Sequence, residues 1–121
     1  MTGLLERYKM DRLERLLELQ KTFGKRFVNW DKLSIADQEN WTKEFIVCCI
    51  SELNEILAET NWKHWKSTHK ELDHKKIKFE IIDLLHFILS LMVLWKMDAT
   101  EVFDMYIEKN LENIKRQENG Y

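Results

Sequence analysis

Two short motifs carry the most chemistry in this 121-residue chain: Glu52-Leu-Asn-Glu55 and Glu80-Ile-Ile-Asp83. On a helix, positions i and i+3 share a face about one turn apart, so each motif aims two carboxylates in one direction. Glu80 and Asp83 stand among Phe79, Ile81, Ile82, Leu84 and Leu85. An ionised carboxylate there is costly unless something pairs with it. No basic residue is expected on their face within a turn, which leaves metal ions as the partner. If the two motif-bearing helices run antiparallel, four carboxylates meet at one point. Hard oxygen donors at that density suit Mg²⁺ or Mn²⁺. A single E-x-x-E is commonly a solvated face. Two on consecutive helices, one inside an apolar run, point to a site.

A second set of residues lies near the C-terminus. Lys109, Asn113 and Arg116 recur at i, i+4 and i+7 and form one polar stripe, while Phe103, Ile107, Leu111 and Ile114 form the face expected to be buried. Lys offers a point charge and Arg a planar fork of donors, both suited to phosphate oxygens. Taken alone, such a stripe is equally a solvated surface. His86, three residues after Asp83 on an apolar helix, reads as a hydrogen-bonded residue supporting the site and not as a metal ligand. Trp62 and Trp65 are candidates to wall a pocket, although tryptophans near a helix end also serve as core.

The elements that must position these groups are helices. Apolar spacing with a period of 3.6 predicts four: Leu4 to Phe23 or beyond, Ala36–Asn40 to about Thr60, Leu72 to Lys96, and Asp98 or Ala99 to Gln117. Asp98-Ala-Thr-Glu101 resembles a capping box. With no proline and three glycines, the chain lacks the turns of a sandwich or barrel. Hydrophobic residues at 45% and charged residues at 33% describe a globular protein, and the length predicts one domain over residues 1–121. A net charge of −2 gives no basic excess to attract nucleic acid. Cys48 and Cys49 are adjacent and cannot build a disulfide framework, which fits a reducing compartment. The N-terminus has no uninterrupted apolar stretch. The most apolar segment, Phe79–Trp95, carries Glu80, Asp83 and His86, which argues against a membrane span. The expected location is the cytoplasm. After Asp83 the third helix is apolar nearly all round, more than three other helices can cover, so it is expected at a subunit interface.

E-x-x-E on one helix and E-x-x-D on the next resemble the all-α nucleoside triphosphate pyrophosphatases, the superfamily of MazG-like enzymes and dimeric dUTPases. The C-terminal run Tyr106–Tyr121, with Lys109-Asn110, Asn113, Arg116-Gln117 and Gly120-Tyr121, resembles the closing motif of dimeric dUTPases. Asp83-Leu-Leu-His86-Phe87 and Trp62-Lys63-His64-Trp65-Lys66 do so too. The likeness covers Gln20 to Tyr121. Many family members carry a helical insertion that Trp95–Asp98 here replaces with a direct link.

The resemblance implies an all-α, four-helix, bundle-like homodimer that hydrolyses dUTP to dUMP and pyrophosphate. It implies Mg²⁺, or Mn²⁺, held by Glu52, Glu55, Glu80 and Asp83, with Glu52 or Glu55 serving the attacking water. Lys63, Lys66, Lys109, Asn110, Asn113, Arg116 and Tyr121 would contact the nucleotide, and Trp62 and Trp65 would wall its pocket. Gln20, whose amide has both a donor and an acceptor, would match the uracil imide edge. No nucleic-acid or membrane partner is expected. Three alternatives stay open: a MazG-like or dCTP-preferring pyrophosphatase, a di-iron carboxylate bundle in which Asp83-x-x-His86 supplies ligands, and a helical interaction module without metal.

Overall fold

The computed structural model describes residues 10–120, and the regular structure among them is entirely helical. Four helices follow in order: α1 Arg12–Gly24, α2 Ile35–Ala58, α3 His74–Leu94 and α4 Ala99–Glu118. The stretch from Leu4 to Lys9, expected to begin the first helix, lies outside the described residues, as does Tyr121.

Each helix begins where a short polar side chain replaces a missing backbone partner. Asp11 accepts the Glu14 N–H at 2.7 Å, Asp73 that of Lys76 at 3.0 Å, and Asp98 that of Glu101 at 2.8 Å. At Asp98 this is the forward half of the expected box. The full reciprocal box opens α2, where Ser34 Oγ accepts the Asp37 N–H at 3.0 Å and Asp37 Oδ2 accepts the Ser34 N–H at 3.1 Å. An Asp in the role usually filled by Glu or Gln hid that box in the sequence. At the end of α3, Lys96 takes a left-handed φ of 59°. The Met97 N–H then reaches back to the Met92 carbonyl at 2.9 Å and the Lys96 N–H to that of Val93 at 3.1 Å. This Schellman closure turns the chain straight into α4.

α2 and α3 form an antiparallel hairpin, α1 lies along α3, and α4 touches α1. The α2–α3 register is visible in its bonds, whose partners run in opposite directions. Gln38 Nε2 donates to the Leu94 carbonyl at 3.0 Å, Trp95 Nε1 to Thr42 Oγ1 at 3.0 Å, and Lys76 pairs with Glu59 at 2.9 Å. The buried core is Leu17, Val28, Trp30, Phe45, Leu89, Val93 and Leu94. Val28 and Trp30 belong to the α1–α2 link, where the polar segment 29–34 interrupts the apolar spacing of the sequence. Trp30 Nε1 donates to the Lys21 carbonyl at 3.0 Å, closing the end of α1, while its ring stacks on Phe45.

Several faces expected to be covered are open. Phe103, Ile107, Leu111 and Ile114 of α4 are 61, 41, 56 and 46% exposed. The reason is that, among the described residues, α4 packs on the core at Ala99 and Val102 in its first turn. α3 is buried at Leu89, Ser90, Val93 and Leu94 but exposed at Phe79, Ile81, Ile82 and Ile88. On α2, Ile46, Val47, Ile50 and Leu53 face outward. Among the described residues no helix is long and apolar enough to cross a membrane.

Gly24 gives this packing its sharpest test. It sits in the last turn of α1, where Ala normally stabilises a helix by about 0.5–1 kcal/mol relative to Gly. Here a Cβ would overlap the buried Trp30 indole. Gly24→Ala is therefore expected to destabilise the protein by about 1–3 kcal/mol, the usual cost of overpacking. Urea denaturation checks the sign; a more stable variant would refute the Trp30 contact.

Candidate metal centre

The α2–α3 hairpin brings Glu52, from the C-terminal part of α2, opposite Glu80 and Asp83 in the first half of α3. One carboxylate oxygen from each lies within 4.8 Å of the others. Glu52 and Glu80 are half-buried and Asp83 is exposed. Glu52 Oε2 and Glu80 Oε2 are sequestered from solvent and accept no hydrogen bond. Glu55, one turn along α2, is exposed and lies within hydrogen-bonding reach of both Glu52 and Glu80. Ionised carboxylates have no proton to share, so that contact satisfies a pair only when one member is protonated.

The electrostatics follow from this crowding. Burial, the hydrogen bond with Glu55 and the charges of Glu55, Asp83 and Glu80 push Glu52 up to about 7. Burial, then Glu55 and Asp83, raise Glu80 as well. Desolvation and like charge both favour the neutral acid. A divalent cation relieves both effects and gives the orphaned oxygens a partner. All four residues offer hard oxygen donors, so they fit Mg²⁺ or Mn²⁺.

The expectation that no basic residue shares the Glu80 face needs correcting. Lys76, four residues earlier, lies on that face and lowers the Glu80 pKa slightly against the dominant upward effects. Its ammonium is nonetheless held by Glu59 at the end of α2, 2.9 Å away. Glu59 retains the cation that would otherwise neutralise the cluster.

The remaining expected residues fall in three places. Gln20 is 8% exposed, with Oε1 2.9 Å from His86 Nδ1 and Nε2 donating to Ser90 Oγ at 2.9 Å. Its amide is directed at α3, one turn beyond Asp83, instead of being presented to a ligand. Trp62, Lys63, Trp65 and Lys66 lie on the α2–α3 loop, all exposed, with the two indoles edge to face at 5.8 Å. The loop is held closed by Asn61, whose Nδ2 donates to the Lys70 carbonyl and whose Oδ1 accepts the Lys70 N–H, both at 2.9 Å. Beside it opens a hollow of about 720 Å³ lined by Asn54, Asn61, Trp62, Lys63, Lys66 and Lys70, among others.

Lys109, Asn110, Asn113 and Arg116 are exposed on α4, which has no substantial contact with α2. Glu112, which the sequence reading missed, bridges the stripe: its two oxygens take Lys109 at 3.2 Å and Arg116 at 2.6 Å. Those cations hold its carboxyl below the usual range, chiefly through the Lys109 hydrogen bond. The signal was its i+3 and i−4 spacing to the two cations.

The geometry defines a class: a helical hairpin holding a carboxylate cluster beside a basic, aromatic loop. A family model described as dUTPase matches residues 12–101. The chain belongs to this all-helical dUTPase family of nucleotide pyrophosphohydrolases. A dCTP pyrophosphatase of Enterobacteria phage T4 is 35% identical over 115 residues, covering 75% of this chain and 67% of that protein. A dCTP pyrophosphatase of Enterobacteria phage LZ5 is 39% identical over 75 residues, covering 53% and 44%. A DNA replication protein of phage T4 is 33% identical over 104 residues, covering 66% and 26%. The chain thus spans about two thirds of the first relative's length and less than half of the other two. No solved structure matches it.

The raised Glu52 pKa makes a stability prediction. Below its ordinary value of 4.5 the group is protonated both folded and unfolded. As pH rises from there through about 7, the unfolded chain ionises first and the folded state loses relative stability. In EDTA, the melting temperature of Glu52→Gln should therefore gain on wild type across that window, and excess Mg²⁺ should narrow the gap. A gap that stays constant with pH would contradict the crowding.

Proposed function

We propose that the chain hydrolyses dUTP to dUMP and pyrophosphate, as one domain over residues 1–121 acting as a cytoplasmic homodimer. The observation that carries this reading is the pair of sequestered, unpartnered oxygens of Glu52 and Glu80 beside Asp83 and Glu55. These four carboxylates would hold Mg²⁺, or Mn²⁺. When bound, the ion neutralises charge on the phosphates and activates water.

The chain's own groups do the rest. Glu52 or Glu55 orients the attacking water and takes its proton. Lys63 and Lys66 meet the phosphates from the loop, and Lys109, Asn110, Asn113 and Arg116 meet them from α4. Phosphate oxygens then replace the Glu112 carboxylate between Lys109 and Arg116. The exposed Trp62 and Trp65 would wall the base pocket, and Tyr121 is a further nucleotide contact by family resemblance. Cys48 and Cys49, both free, fit a reducing compartment. The open apolar faces of α2 and α4 support a second copy as their cover. A dCTP substrate is the second reading, favoured by the two relatives named dCTP pyrophosphatases.

Three experiments test the reading. Pyrophosphate release is compared for dUTP, dCTP, dTTP and UTP with and without Mg²⁺. Turnover is expected to need the metal and to be fastest with dUTP. A dCTP preference selects the second reading, and no release from any nucleotide defeats both. Asp83→Asn should keep its helical spectrum yet lose about 10²–10³ in kcat, the scale of one electrostatic group at the transition state. Sedimentation at micromolar concentration should show a dimer, since an obligate interface of roughly 2,000 Å² or more is expected. A stable monomer would exclude the assembly.

A further inference from the structure

Gln20, His86 and Ser90 form a closed hydrogen-bond chain in the α1–α3 seam, and nothing in the proposed reaction uses it. Its direction can be worked out from the donors. Ser90 has one hydroxyl hydrogen, and Oγ gives it to the His86 backbone carbonyl one turn earlier, at 3.1 Å. The Ser90 oxygen is then left as an acceptor, so the partner facing it at 2.9 Å is the Gln20 NH₂. The other end of the amide, Oε1, therefore faces His86 Nδ1 at 2.9 Å. A carbonyl oxygen carries no hydrogen, so Nδ1 must supply it. Gln20 and Ser90 are 8 and 4% exposed, so the bond between them is buried, while the two bonds to His86 are part-buried.

The consequence lies on the other side of the ring. His86 is an exposed residue, and Nε2 makes no hydrogen bond among the described residues. With Nδ1 protonated, the Nε2 of a neutral imidazole has a lone pair and no hydrogen. His86 and Asp83 stand at i and i+3, on one face of α3. We propose that Gln20 and Ser90 are positioning residues that lock His86 in its Nδ1–H tautomer, making Nε2 an obligate hydrogen-bond acceptor one turn from the carboxylate cluster. Its ligand is a hydrogen-bond donor, supplied either by a water held at the carboxylates or by an N–H or O–H of the nucleoside. This second part rests on the cluster being the nucleotide site; the tautomer does not.

Imidazole ¹⁵N NMR tests the lock on the full-length, metal-free protein at a pH where His86 is neutral, with the signal assigned by its loss in His86→Asn. Wild type should show a protonated, pyrrole-type Nδ1 and an unprotonated, pyridine-type Nε2. Gln20→Met removes the acceptor, and His86 should revert to the Nε2–H form that free imidazole prefers in water. Gln20→Glu keeps an oxygen in place and should keep Nδ1–H. A wild-type Nε2–H ring, or a tautomer unmoved by Gln20→Met, overturns the lock. Should Gln20→Met not fold, the wild-type spectrum decides the tautomer and Ser90→Ala its cause, since a freed amide can rotate and should mix the two forms; an unmixed Ser90→Ala overturns the lock.

The donor is then identified by adding Mg²⁺ alone and afterwards Mg²⁺ with dUMP. An Nε2 shift with Mg²⁺ alone assigns the donor to water, and one appearing only with dUMP assigns it to the nucleoside. An Nε2 signal unmoved by either, while calorimetry shows both bind, overturns the acceptor role. If calorimetry shows no Mg²⁺ binding, the metal centre fails and the tautomer result stands.

Discussion

Four acidic side chains share the α2–α3 seam, and the rest of the structure is arranged around that repulsion. Glu52 and Glu80 are drawn away from water with one oxygen each left unpartnered, and both resist ionisation for that reason. The nearest cation on the Glu80 face, Lys76, is tied to Glu59 and leaves the cluster uncompensated. What keeps the helices together despite this lies mostly at the other end of the hairpin. There Gln38 and Trp95 bond across the seam beside Phe45, Val93 and Leu94 of the buried core. The stable end holds the helices in register while the acidic end keeps its charge concentrated. Residues under such tension are where cation chemistry is found.

The core is small for the number of apolar residues in the chain. Among the described residues seven are buried, while Ile46, Val47, Ile50, Phe103, Leu111 and Ile114, among others, stay open to solvent. α4 shows the cause. The Schellman turn at Lys96 launches it immediately after α3, and, among the described residues, it packs on the core at Ala99 and Val102. A direct link of this kind fixes the direction of the helix and leaves its apolar face without a partner in the same chain.

Charge is distributed as unevenly as burial. Trp62 to Lys78 carries Lys63, Lys66, Lys70, Lys75, Lys76 and Lys78 against Glu71 and Asp73 alone, in a protein whose net charge is −2. The Asn61–Lys70 clasp folds the first part of this basic run into a closed loop at the end of α2. Cationic loop and anionic cluster thus occupy the same end of one hairpin, an arrangement that suits a polyanion bridged to a metal ion.

Among the described residues, the four helices, most of their limits and the two carboxylate pairs were legible in the sequence; the start of α1 was not, since Asp11 caps it at Arg12 and not at Leu4. The legible features depend on local spacing: the 3.6 period, the Asp and Ser caps, and i, i+3 neighbours are settled within a single helix. The likeness to the dUTPase family was legible as well, because motifs survive in linear order. What the sequence left open were relations between segments far apart in the chain. Trp30 looked like part of a polar link, and only the fold brings it onto Gly24 and Phe45 to make it core. Lys76 was not expected on the Glu80 face, and the fold both puts it there and ties it to Glu59. Gln20 looked free to read a ligand, and its two partners lie 66 and 70 residues away on α3. A hydrogen bond or a packing contact needs both partners at one point in space, and only the folded chain specifies that point.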